Sequence, residues 1–385
     1  MANAGARKII GEALSDIVGS ARRGGPHVRV GLMASGSELG PEELARGAAL
    51  AQEARPELHV VMIGPMLKGY DQLEWIETSD CEEDISDGME TALKDGSISA
   101  AVALHYPFPL GVTTIGRVLT PSRGRPMLIA STTGASSTDR FEGMVRNAIY
   151  GVAVARSLGI EDPSVGILNI DGANPAFRAL GKLRDNGFPI SFGSSVRKDG
   201  GAILRGNDIL AGAVDVCVTD TLTGNVLMKM FSAFTTGGSY ESTGWGYGPS
   251  VGRDWSLVVS IISRASGAPV IANALNYSAR AVVGGLAAKV AAHVAMADKA
   301  GLPDIIAEMR PSKQAVRDEV APPPKEPTEE ELHGIDVLSI EDAVMALWRK
   351  GIYAESAMGC TGPVVKVPAR YLKDSEEALR SEGFI

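Results

Sequence analysis

Cysteine is scarce in this chain and does not cluster. Cys81, Cys217 and Cys360 are widely separated, no C-x-x-C spacing occurs, and the five histidines stand singly. No metal site is therefore signalled, and a reducing cytoplasm is the expected compartment. Aromatic residues make up only 5%, there is no basic block, and the formal charge is −9. Those absences argue against nucleic acid as a partner. No long apolar run is uninterrupted either. The most apolar stretch, 277–300, is broken by Arg280, Lys289, His293 and Asp298, so it reads as a packed Ala/Gly helix and not a bilayer span. The start of the chain has no signal-peptide pattern. Ile9, Ile10, Ala13, Leu14, Ile17 and Val18 instead recur at helical spacing.

What is present describes a globular α/β protein. The chain has 385 residues, 45% hydrophobic and 22% charged. Short apolar runs alternate with helical segments: "VRVGLMA" (28–34), "LHVVMIG" (58–64), "ISAAVAL" (98–104), "RPMLIAS" (125–131), "VGILNI" (165–170) and "VDVCVTD" (214–220). Continuous runs suit strands covered on both faces, and the helices between them suit parallel crossovers. The expectation is a three-layer α/β/α fold on a single, mainly parallel sheet. Residues 1–24 form an N-terminal helix in this reading, 25–316 the body and 317–334 a Pro/Glu-rich linker. Residues 335–385 are a C-terminal segment whose strand "VVKV" returns to the body. The glycine-rich stretch 235–254, with Tyr240, Trp245 and Tyr247, reads as a long loop suited to a lid or binding surface.

Ligands in such folds sit beyond the carboxyl ends of the strands, and three candidate sites lie there. In "MASGSELGPEELARG" (33–47) a strand ends in a Gly/Ser turn, with Ser35, Gly36 and Gly40, before a helix whose first residue is Pro41. Such a start attracts anions, although Glu42 and Glu43 already occupy the positive end of the helix dipole. In "VTDTLTGNVLMKM" (218–230) a strand ends at Asp220, Gly224 and Asn225 make a turn, and a helix follows. Asn225 and Lys229, four apart, share a face that suits a phosphate or a developing oxyanion; a surface lysine on an amphipathic helix fits the spacing equally well. His105, after the strand "ISAAVAL", is a possible base, with a packed, hydrogen-bonded histidine the commoner alternative. A fourth position is Cys360 in "AESAMGCTGPVV" (354–365). Gly359, Gly362 and Pro363 around it suggest a turn whose N–H groups converge on one reacting atom, in place of a packed strand thiol. Several patterns fail inspection. "RALGKLR" lacks the hydroxyl and upstream glycine of a phosphate loop, "GWGYGPSVG" follows no strand and opens no helix, and no G-x-S-x-G elbow occurs.

The second candidate carries a family resemblance. Residues 165–229, from "VGILNIDG" through "RGNDILAGAVDVCVTDTLTGNVLMK", resemble the phosphate acyltransferases of phospholipid synthesis, as does "GLMASGSELGPEELARGAAL". That resemblance implies the α/β/α fold shared with phosphotransacetylases and isopropylmalate dehydrogenase-like proteins, and acyl–phosphate chemistry. The sequence departs where the family has a Gly-Asn-Thr-Gly-Ala turn, here "HYPFPLG", and where it has a helical region for acyl-carrier protein. "GCTGPVVKV" resembles the family's terminal Gly-Gly-Ala-Pro-Leu-Leu-Gly turn, with "SGAPVIAN" (266–273) a rival match. The whole chain, including "FTTGGSYESTGWGYGPSVG" and "SAMGCTGP", is similar to the alpha subunits of component C of glycine/sarcosine/betaine reductase complexes. This implies a selenoprotein partner, component A, delivering a carboxymethyl group, and a component C beta subunit. The resemblance places the catalytic cysteine, which takes the acetyl unit as a thioester, on Cys360. Acetyl phosphate then forms with inorganic phosphate, with no cofactor. Lys229, Asn225 and Gly224 would hold the phosphate, Gly359 and Gly362 the oxyanion, and Ser35 and Gly36 the rest of the anion cradle. Two other readings stay open: a non-catalytic partner subunit, and a stand-alone short-chain phosphate acyltransferase.

Overall fold

The computed structural model describes residues 28–198, 200–309, 320–335, 339–359 and 362–385. The expected N-terminal helix lies outside the described residues. The first half of the body follows the strand–helix rhythm of the sequence. Strands β1 (Val28–Met33), β2 (Leu58–Gly64), β3 (Glu74–Glu77) and β4 (Ala100–Ala103) pair in parallel, with helices α1 (Pro41–Ala54) and α2 (Glu82–Lys94) as crossovers. Pro41 opens α1 at its first position, where a missing N–H costs nothing.

The second half is built on β6 (Pro126–Gly134), β7 (Ser164–Leu168) and β10 (Val216–Val218), again parallel. Helices α3 (Arg140–Ser157), α4 (Ala173–Asp185), α5 (Gly206–Ala211) and α6 (Thr221–Ala233) belong to this half. Alternation along β6 shows both faces covered. A Cβ on Gly224 of α6 would meet Ile129, and one on Gly151 of α3 would meet Ala130, the next residue of the strand.

Both halves join in one 12-stranded sheet that is mostly parallel with helices on both sides, as expected. The single parallel sheet needs two corrections. The seam of the body is antiparallel: β12 (Val259–Ile261) pairs with β11 (Gly248–Gly252), β11 with β5 (Val112–Leu119), and β5 with β6. Three reversals leave the two halves running in opposite directions. The stretch read as a loop at 235–254 therefore supplies a central strand, and Tyr247 before it is buried. Gly248 allows this: its φ is +83°, and a Cβ there would meet the Ile115 carbonyl oxygen at 1.7 Å.

The second correction concerns "VVKV". It lies in a separate three-stranded antiparallel sheet, with β15 (Gly362–Val367) between β13 (Glu330–Leu332) and β14 (Glu355–Gly359). Strand β13 falls inside the stretch expected to be linker, where Leu332 is buried. Helices α10 (Ile340–Arg349) and α11 (Leu372–Ser381), which follow α7 (Ala268–Val283), α8 (Leu286–Lys299) and α9 (Leu302–Met309), close a small core of Ile340, Val344, Leu347, Val365, Val367 and Leu379. Asn174 Nδ2 donates to the Gly334 carbonyl at 3.1 Å, linking this unit to α4. No single helix among the described residues is long and apolar enough to cross a membrane. The apolar 277–300 stretch belongs to α7 and α8, which bend by 60°.

Candidate active site

Strand ends from both halves of the body meet at a cleft of about 460 Å³. Leu104 and His105 follow β4, Thr133 and Gly134 end β6, Ser263 and Arg264 follow β12, and α6 contributes Asn225 and Lys229. A smaller chamber of about 150 Å³ shares Leu104, His105 and Arg264 with it and is lined by Ser35, Gly36, Asp80 and Glu82. The three strand-end sites read separately from the sequence thus line adjoining walls.

Helix α6 begins earlier than expected. Asp220 is its N-cap, accepting from the Thr223 N–H at 3.1 Å and from the Thr223 hydroxyl at 2.7 Å. Gly224 is consequently inside the helix, not in a turn, and its N–H donates to the Asp220 carbonyl at 2.9 Å. It has no free N–H for a phosphate. Its role is close approach: a Cβ would sit 1.8 Å from the Ser131 carbonyl oxygen. Asn225, one turn in, donates from Nδ2 to the Thr132 carbonyl at 3.1 Å, which ties the helix to β6.

Lys229 reaches across the cleft. Its Nζ donates to Ser263 Oγ at 3.3 Å, lies 3.6 Å from Glu241 Oε1, and sits 5.7 Å from the centre of the Tyr247 ring. The Lys229 side chain is 57% exposed and that of Glu241 only 3%. A buried carboxylate thus anchors an exposed ammonium. Tyr247 donates its hydroxyl to Glu241 at 2.8 Å, and Ser266 donates at 3.4 Å. Burial, then the neighbouring Glu241 carboxylate, pushes the Tyr247 phenol far above its usual range, so it stays a donor. Glu241 escaped the sequence reading because it is a lone acid in a glycine-rich stretch. The one available signal is that it and Lys229 are the only charged residues from Thr221 to Tyr247.

His105 is exposed on the cleft wall, and among the described residues its ring makes no hydrogen bond. The packed-histidine alternative therefore fails. Arg264, also missed from sequence, lines both chambers. Its carbonyl accepts from the Glu38 N–H at 2.8 Å, while its guanidinium makes no ion pair among the described residues. Ser35 departs from expectation: its hydroxyl donates to Asp80 at 2.6 Å, so it is committed to a carboxylate. Gly36, with φ +90° and open space about it, keeps its backbone accessible. The "HYPFPLG" segment supplies an apolar wall. Tyr106 and Phe108 each meet Trp255 edge-on, at 6.2 and 6.1 Å between ring centres, and burial together with the Glu90 bond pushes the Tyr106 phenol up to about 12.

Cys360 lies outside the described residues. Gly359 and Gly362 on either side pair with each other in the β14–β15 ladder. The other two cysteines differ sharply. Cys81 is exposed, whereas Cys217 is buried in β10, where burial and then Asp208 push its thiol up to about 12.

A family model described as fatty acid synthesis protein matches residues 28–366. The chain belongs to that family. It is 46% identical, over 98% of its length and 99% of the relative's, to the glycine/sarcosine/betaine reductase complex component C subunit alpha of Peptoclostridium acidaminophilum. Phosphate acyltransferases of Paramagnetospirillum magneticum and Thermotoga petrophila are 26% and 29% identical over 52% of this chain and 67% of theirs. A branched-chain phosphotransacylase of Enterococcus faecalis aligns at 16% identity with a TM-score of 0.47, covering 66% of this chain and 99% of its own, too loosely to add to the fold described above.

Proposed function

We propose that this chain is the acetyl-transfer subunit of a glycine-, sarcosine- or betaine-reducing complex. A selenoprotein, component A, supplies the two-carbon unit, and a component C beta subunit completes the assembly. Cys360 carries the acetyl group as a thioester. An oxygen of inorganic phosphate attacks the carbonyl carbon, the C–S bond breaks, the thiolate leaves, and acetyl phosphate is released. The observation that carries the reading is the 46% identity to a component C alpha subunit across 98% of the chain, a span that includes Cys360.

The cleft supports an anionic co-substrate. Lys229 has three donors, of which Ser263 and Glu241 engage two. The third suits a phosphate oxygen, together with the Arg264 guanidinium, which has no ion pair among the described residues. His105, exposed on the same cleft, would take the proton that monobasic phosphate sheds on attack.

Phosphate dependence tests this. In the reconstituted complex, Lys229→Ala should lose about 2–4 kcal/mol of transition-state stabilisation, roughly 30- to 1,000-fold in kcat/KM for phosphate. Acylation of the chain should be unaffected. Unchanged phosphate-dependent turnover would place the anion elsewhere.

A further inference from the structure

Helix α6 exposes four large apolar side chains at strict i+4 spacing: Leu222 at 73%, Val226 at 51%, Met230 at 62% and Phe234, just past its end, at 72%. They form one ridge about 18 Å long. At roughly 200 Å² per large side chain they leave on the order of 500 Å² of apolar surface in water. A standard interface removes about 800 Å² per partner, so this ridge alone would supply most of an interface core. Its flanks are polar and carry a single charge, Lys229, among residues such as Thr221, Thr223, Thr235 and Thr236. Lys229 is the only charged residue from Thr221 to Tyr240, in a chain of which 22% is charged. Charge depletion of this kind marks the centre of a protein interface.

We infer that this ridge docks a different protein subunit, one presenting an uncharged apolar face to it. Two other occupants fit worse. An anionic bilayer surface selects ridges flanked by several lysines and arginines, and here a single lysine stands among threonines in a chain of net charge −9. A second copy would pack its own ridge antiparallel, and Lys229 lies one residue from the ridge midpoint. Two lysines would then meet side by side, adding to the repulsion between two chains of like net charge. The ridge is also continuous with the candidate site. Asn225 and Lys229 lie three residues on from Leu222 and Val226, about 60° round the helix from each, so a docked subunit borders the mouth of the cleft. It would cover the exposed Lys229 and exclude water from the anion site beside it.

The test rests on the function proposed above only for its choice of probe, the component C beta subunit. Full-length chain, wild type or carrying Leu222→Glu or Met230→Glu, is titrated with beta subunit and complex formation followed by sedimentation. Val283→Glu, at an equally exposed apolar residue (69%) on another helix, is the control. Both ridge variants should weaken the complex by about 30-fold or more while the control binds as wild type. Unchanged melting temperatures show that the ridge variants fold. Equal affinity of all four proteins would overturn the inference while leaving the acetyl-transfer reading intact. Failure of the wild type to bind would overturn both. Self-association of the chain that Leu222→Glu abolishes, or binding to phosphatidylserine vesicles, would assign the ridge to another occupant and overturn the inference alone.

Discussion

Gly224→Ala should damage the site without touching any side chain in it. The new Cβ would lie 1.8 Å from the Ser131 carbonyl oxygen, 2.9 Å from its carbon and 3.2 Å from Ile129 Cγ2. Ordinary contact needs about 3.5 Å, and the obstacle is backbone in the middle of the sheet, so α6 must move by roughly 1.5 Å. Overpacking of this kind costs about 1–3 kcal/mol of folding stability. The displacement also carries Lys229 away from Glu241 and Ser263, and misplacement on that scale lowers kcat/KM for phosphate by about 100-fold. Urea denaturation reads the first effect and acetyl phosphate formation the second. Gly181→Ala is the control. A methyl group on this helical glycine would meet nothing within 4 Å, so alanine should stabilise by about 0.4–1 kcal/mol and leave turnover alone. Wild-type stability and activity in Gly224→Ala would show that the close approach of α6 to β6 does not position the cleft.

Glu241→Gln tests the anchor of Lys229. Removing a negative charge beside the anion site should leave the KM for phosphate unchanged or lower, while kcat falls by roughly tenfold as Nζ loses its fixed partner. A raised KM with an unaltered kcat would contradict this role. His293 sets an acid limit to stability. It is buried between α8 and α3, with Arg156 donating to Nε2 at 2.7 Å and Nδ1 donating to the Lys289 carbonyl at 2.6 Å. Burial first, then the Arg156 and Lys289 charges, hold its pKa below 6.5, so the unfolded chain binds the proton more readily. Stability should be full above about pH 6.5 and fall as pH drops from there through the depressed folded value. His293→Gln should flatten that slope in urea titrations at about pH 7.5 and about pH 5, and an equal slope in both proteins would refute the assignment.

The strands legible in the sequence were those whose side chains announce burial. "LHVVMIG" is β2 residue for residue, and the other five continuous runs each contain or overlap a strand. What stayed hidden lacked that signal. β11 is "GPSVG", too poor in side chains to read as a strand, and its place at the centre of the sheet depends on backbone contact with β5. Gly224 and Asn225 carry turn chemistry, yet tertiary packing keeps both inside a helix capped by Asp220. The cleft was half legible. Asn225, Lys229 and His105 stood out by type and place, whereas Glu241 and Arg264 matter only because the chain folds them against residues distant in sequence. The small C-terminal sheet needed pairing between 330–332 and 362–367, which no local pattern encodes.

The central claim is that a thioester on Cys360 precedes acetyl phosphate. Its most direct measurement is acetyl phosphate production by the reconstituted complex carrying Cys360→Ser, beside Cys81→Ser and Cys217→Ser. A hydroxyl is almost never ionised at neutral pH and forms an ester with a poor leaving group, so Cys360→Ser should abolish turnover while folding and subunit binding persist. The Cys81 and Cys217 variants should retain theirs. Full activity of Cys360→Ser would contradict the account and move the acyl chemistry to another subunit.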